Sequence, residues 1–158
     1  MNEGPHIIVY LFRRLGVFLL ALLLTYVLAT FTATWSVVIS LRAMSVEVPI
    51  STALQMAWQD LFGMADMFLP MIAFALLIAF MSTAILRRFV KKWPLAWYAL
   101  AGAVALVCIH IALKLAFGIT PLAVGRSIDG LAQQALAGAL GGLFYGWITL
   151  RQMKANPI

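Results

Sequence analysis

Charge is what this chain has least of. Aspartate and glutamate together number five, and all charged residues make up 10% of the sequence, against roughly 25% in an average soluble domain. That scarcity leaves no carboxylate pair within an apolar run and no His/Glu cluster at metal-ligand spacing, so the familiar hydrolytic signatures are missing. Cysteine is nearly absent too. The one residue, Cys108, lies inside an apolar run and excludes a disulfide framework within one chain. There are two histidines, and one of them, His6, sits in the N-terminal head, which excludes a bis-histidine haem site within one chain. No phosphate-cradling glycine loop is present, because the glycines fall mid-run without a lysine partner. No enzyme is expected, and no cofactor.

What is abundant is apolar surface, at 65% of 158 residues. A water-soluble fold of this size has no way to hide so much, so lipid is the expected solvent and the expected class is an all-α integral membrane protein. The net charge of +6 is not a nucleic-acid signature, since the basic residues flank apolar runs. They are placed to meet anionic lipid headgroups. Four spans are expected, at about 15–41, 67–86, 94–117 and 130–150, each near or above the roughly 20 residues that cross the hydrocarbon. Arg13 and Arg14 ahead of a leucine-rich core imitate a signal peptide, with Val27-Leu28-Ala29 as its cleavage site. The apolar run continues past that site, so a retained span is expected. Residues 1–14 read as a short head with a turn at Gly4-Pro5. Pro70 is expected in the first turn of the second span, where proline is tolerated.

The stretch Arg87-Arg88-Phe89-Val90-Lys91-Lys92-Trp93-Pro94 reads as a cytoplasmic turn and sets the orientation. Arg87, Arg88, Lys91 and Lys92 share a side with Arg13, Arg14, Arg151 and Lys154, eight basic residues in all. The other side has three, Arg42, Lys114 and Arg126, together with Glu47, Asp60, Asp66 and Asp129. The positive-inside rule then places both termini in the cytoplasm. Trp93, Trp97 and Tyr98 form an interfacial aromatic belt beside the turn.

Between the first two spans, Thr52 and Gln55 have capping-box spacing at the start of a short amphipathic helix, about 52–65. Its apolar face is Leu54, Ala57, Trp58, Leu61, Phe62 and Ala65. Two placements fit: on the outer membrane surface with Trp58 at headgroup depth, or packed on the tops of the helices. A short loop over 118–129 carries breakers at Thr120-Pro121 and Gly125. Asp129 is the expected cap of the last span, with Ser127 in turn chemistry beside it.

Four constellations bear on function. In the last span Gly138, Gly142 and Gly146 repeat every fourth residue, a face for close helix packing, widened by Ala135 and Gly141. In the first span Ala21, Thr25, Ala29, Thr32, Ser36 and Ser40 share one face. That stripe reads as a helix contact, with a polar pore lining as the sharper alternative. In the third span His110 and Lys114 lie four apart, and Asp66 at similar depth is the expected partner of Lys114. Met64, Met67 and Met71 place thioethers, which suit copper(I), near the outer surface. Their spacing looks like the paired-methionine motif of copper-uptake channels, although methionine is also common core filler.

The run Ala137-Gly138-Ala139-Leu140-Gly141-Gly142-Leu143-Phe144-Tyr145-Gly146-Trp147-Ile148 resembles the last helix of small four-helix inner-membrane proteins of proteobacteria. That resemblance implies a bacterial inner membrane location and carries no activity. The expected function is a non-catalytic accessory or assembly subunit, with lipids and other membrane subunits as partners. The alternative is a small homo-oligomeric transporter or channel for a small solute or a soft cation such as copper.

Overall fold

The computed structural model describes residues 4–90, 92–118 and 123–155, and every regular element among them is helical. In chain order these are α1 (Gly4–Ala43), α2 (Ile50–Gly63), α3 (Ala65–Leu86), α4 (Pro94–Phe117), a 3₁₀ turn (Ala123–Arg126) and α5 (Ile128–Ala155). Three stretches are long and apolar enough to cross a membrane: Leu11–Ala43, Ala65–Leu86 and Pro94–Ala116. The chain is therefore a helical, multi-pass membrane protein. Lys91, Thr120, Pro121 and the C-terminal Ile158 lie outside the described residues.

Local chemistry explains most boundaries and revises several expectations. No turn separates a head from the first span. Gly4 and Pro5 open α1 itself, because proline in the first turn removes only an amide that has no helical partner. At 40 residues α1 is about 60 Å long, twice the hydrocarbon thickness of about 30 Å. α2 begins at Ile50 behind Pro49 with no side-chain cap, so Thr52 and Gln55 lie inside the helix and form no capping box. Pro70 falls in the second turn of α3, where the exposed Asp66 carbonyl forgoes its amide partner. α4 ends at Gly118, whose φ of 66° allows its amide to close on the Lys114 carbonyl at 3.0 Å. Ser127 caps α5: its hydroxyl accepts the Gly130 amide at 3.0 Å. Asp129 is the second residue of the helix, within its first turn, where its charge favours the helix N-terminus.

α5 lies antiparallel to α4 along the glycine seam and packs on α1 with its adjacent face, while α3 covers the other side of α4. α3 buries a single stripe, Phe68, Ile72, Leu76, Phe80 and Thr83. α1 buries two adjoining stripes. Ala21, Thr25 and Ala29 meet α5, whereas Tyr26 and Thr34 meet α2. The outward faces are as apolar as the core, with Leu19, Leu23 and Phe31 of α1 and Phe74, Ile78 and Met81 of α3 all exposed. In water such patches would be an aggregation hazard. Against acyl chains they are at rest.

Candidate functional site

The glycine repeat of α5 is a contact surface for α4. A Cβ on Gly138 would collide with the Gly102 carbonyl, one on Gly102 with the Gly138 carbonyl, and one on Gly142 with the Tyr98 carbonyl. A Cβ on Gly146 would stand 2.9 Å from the Tyr98 ring. The backbones touch, and dispersion between them replaces side-chain packing. Gly141 faces the other way, and a Cβ there would strike the Thr25 hydroxyl of α1. One helix thus carries two small-residue faces, each matched to a different neighbour.

On the α1 side the contact is polar as well as close. Gln134 is fully buried, and its amide donates to the Ala29 carbonyl at 2.8 Å and to the Thr32 hydroxyl at 3.0 Å. One residue earlier, the Gln133 side-chain amide lies 3.3 Å from the Ser36 hydroxyl. The predicted α1 face, Thr25, Ala29, Thr32 and Ser36, is therefore a helix contact. Its hydroxyls also turn back on their own helix: Thr25 donates to the Ala21 carbonyl at 2.7 Å, Thr32 to Ala29 at 3.0 Å and Ser36 to Thr32 at 3.0 Å. A second polar line runs from α1 to α2. Thr34 donates to the Asp60 carboxylate at 2.7 Å, and the Tyr26 hydroxyl donates to the Leu61 carbonyl at 2.5 Å.

His110 is buried where α4, α3 and the 3₁₀ turn meet. Its ring stands edge-on to Phe68 with centroids 6.2 Å apart, and lies close against Gly125, where a Cβ would fall 2.8 Å from Cδ2. Nδ1 is 2.9 Å from the Leu106 carbonyl. A carbonyl only accepts, so in the neutral ring the proton sits on Nδ1 and Nε2 is left as a bare acceptor. Among the described residues Nε2 has no hydrogen-bond partner, and neither have the buried Gln134 Oε1 and the hydroxyls of Thr30 and Thr149.

The expected pairing of Asp66 with Lys114 does not form. Both side chains are exposed and no ion pair joins them, because at the ends of α3 and α4 each reaches water by itself. The methionines do not converge either: Met64 and Met71 pack against the core while Met67 is exposed. Among the described residues no three His, Cys, Asp or Glu side chains are grouped to hold a metal ion. Near the basic turn Phe18, Phe80, Tyr98 and Tyr145 form a ring cluster, with Phe80 stacked on Tyr145 at 4.4 Å. Arg87 lies over Tyr98 at 5.5 Å, whereas Arg88 and Lys92 are exposed.

Gln134, Asp60, Tyr26 and Gly102 carry much of this arrangement and are absent from the sequence-based set. Gln133-Gln134 left a legible mark, as neighbouring amides bordering an apolar run. Gly102 left none, since an isolated glycine does not announce its partner 36 residues away. Comparison with known proteins finds no matching family model, no matching curated protein and no matching solved structure.

Proposed function

We propose that this chain is a non-catalytic accessory subunit of a larger complex in a bacterial inner membrane. It would cross four times, with both termini cytoplasmic and α2 lying along the outer surface. The fourth crossing is α5. At 28 residues it is about 42 Å long, and it follows antiparallel along α4. Its modest hydropathy comes from glycines and glutamines turned toward α4 and α1, where lipid does not judge them. The surface placement of α2 is supported by its exposed Leu54, Trp58 and Phe62, with Ala57 buried on the flank of the same apolar face.

The observation that carries the accessory reading is where the polar groups of the apolar helices go. Thr25, Ser36 and Thr83 each donate to the carbonyl four residues back on their own helix, and Thr34 donates to Asp60 of α2. A solute path needs polar groups facing a cavity, and these are committed to backbone and helix contacts. Native electrophoresis of gently solubilised membranes, with mass spectrometry of the band, tests the reading. Comigration with larger subunits is expected. A band containing this protein alone would overturn it.

A second reading, a small homo-oligomeric transporter, draws on the buried polar atoms without a partner among the described residues, His110 Nε2, Gln134 Oε1 and the hydroxyls of Thr30 and Thr149. Each would welcome a water or a cation. Under the accessory reading His110→Leu leaves complex formation and activity of the complex unchanged. Loss of solute uptake with assembly intact would favour the transporter.

A further inference from the structure

We propose that the face between α3 and α4 holds one anionic phospholipid, with its phosphate at the basic turn and its tails in the groove beside it. The site needs the membrane setting but not the accessory role, so the two can fail separately.

The groove has a volume of about 690 Å³. Ala79, Ala101 and Ala105 line it together with Phe74, Ile78 and Val104. It presents no charge to an occupant, and one of its few hydroxyls, that of Thr83, already donates to the Ala79 carbonyl at 2.8 Å. Along α3 the lining runs from Met71 to Leu86, a rise of about 22 Å at 1.5 Å per residue. An inner-leaflet tail has about half of the 30 Å hydrocarbon to cross, so it fits with room to spare. A slim, flexible chain follows a long, shallow apolar groove of this kind along its length.

At the turn, beside the groove, is a smaller pocket of about 260 Å³ lined by Val90, Lys92, Trp93, Ala96, Trp97 and Leu100. Trp97 and Leu100 line both spaces, so the two are adjacent. The pocket is built at a cost. Trp93 adopts the left-handed region, φ 57° and ψ 50°, an uncommon setting for a bulky side chain. The Trp97 indole is pinned by donating to the Lys92 carbonyl at 3.1 Å. Arg88 and Lys92 are exposed at this end, and the acidic residues Glu47, Asp60, Asp66 and Asp129 belong to the other end of the helices. An apolar, tryptophan-lined pocket beside an apolar groove, with the exposed Arg88 and Lys92 at the same end, matches the layout of an anionic amphiphile. The cations select its headgroup and the groove accepts any tail.

The test is native mass spectrometry of the full chain in an uncharged detergent, with equimolar phosphatidylglycerol and phosphatidylcholine of identical chains. One phosphatidylglycerol per chain is expected, retained at least tenfold over phosphatidylcholine. Each basic residue near an anionic surface is worth about fivefold, so Arg88→Gln with Lys92→Gln should erase the preference. Val104→Trp, at a half-exposed groove wall, should lower retention of both lipids with helix content unchanged by circular dichroism. A readout on the unaltered chain is Trp fluorescence: phosphatidylglycerol brominated on its tails should quench more than the brominated phosphatidylcholine, and Trp97→Phe should shrink that difference. Equal retention of the two lipids, or a preference that survives the double substitution, would overturn the proposal. So would a lipid-free dimer disrupted by Val104→Trp, which would give the groove to a second copy.

Discussion

At the scale of the residue, the glycines divide by what surrounds them. Gly138 and Gly142 have carbonyl oxygens where a Cβ would go, whereas Gly16 and Gly63 have nothing within 4 Å. Gly142→Ala should therefore push α4 and α5 apart and cost about 1–3 kcal/mol, the usual range for overpacking. Gly16→Ala should be neutral, or stabilising by up to about 1 kcal/mol through helix propensity. Thermal denaturation in detergent, followed by circular dichroism, checks both. A drop for both variants, or for neither, would contradict the assigned seam. The repeat of Gly138, Gly142 and Gly146 was legible as a packing face. Its partner was not, because Gly102 and the Tyr98 carbonyl are chosen by the antiparallel register of two helices. Gln134 shows the same limit: its type marks it as costly in lipid, but only the fold supplies the Ala29 carbonyl and the Thr32 hydroxyl.

At the scale of the element, α2 depends most visibly on particular bonds. Asp60 and Leu61 tether it to α1 through Thr34 and Tyr26. A neutral bond is worth about 1 kcal/mol and one to a charged group about 1.5–3. Tyr26→Phe with Thr34→Val should accordingly speed amide exchange in residues 50–63 on the order of a hundredfold. Exchange in α3, α4 and α5 should hold. Uniform acceleration through all helices would mean that the two side chains support the core and not α2. The amphipathic pattern announced this helix and nearly its full extent. It did not show that Asp60, on the polar side, is the anchor, since a carboxylate near water needs no partner until a hydroxyl on another helix is brought to it.

At the scale of the whole molecule, the distribution of basic residues makes a prediction independent of packing. A reporter fused after Ile158 should be active in the cytoplasm and silent in the periplasm. Neutralising Arg87, Arg88, Lys91 and Lys92 together leaves four basic residues against three on the other side, so a mixed topology should result, read by reporter activity in both compartments. The exposed basic residues of the turn, Arg88 and Lys92, and the groove beside them also belong to this scale. Each is unremarkable alone, and together they outline an amphiphile.

The sequence by itself determined that the chain is helical and lives in lipid, because composition and run length leave no other solvent for so much apolar surface. It also located α2, α3 and α4 to within about two residues, since charge and proline at their ends cannot be buried in hydrocarbon. The tertiary structure alone decided which faces meet. In a membrane the lipid-facing and protein-facing sides of a helix are equally apolar, so hydrophobic periodicity cannot tell them apart. What separates them is shape and hydrogen bonding: glycine against carbonyl, glutamine against carbonyl and hydroxyl, tyrosine against the end of α2. Those are pair properties, and they exist only once the partner is in place.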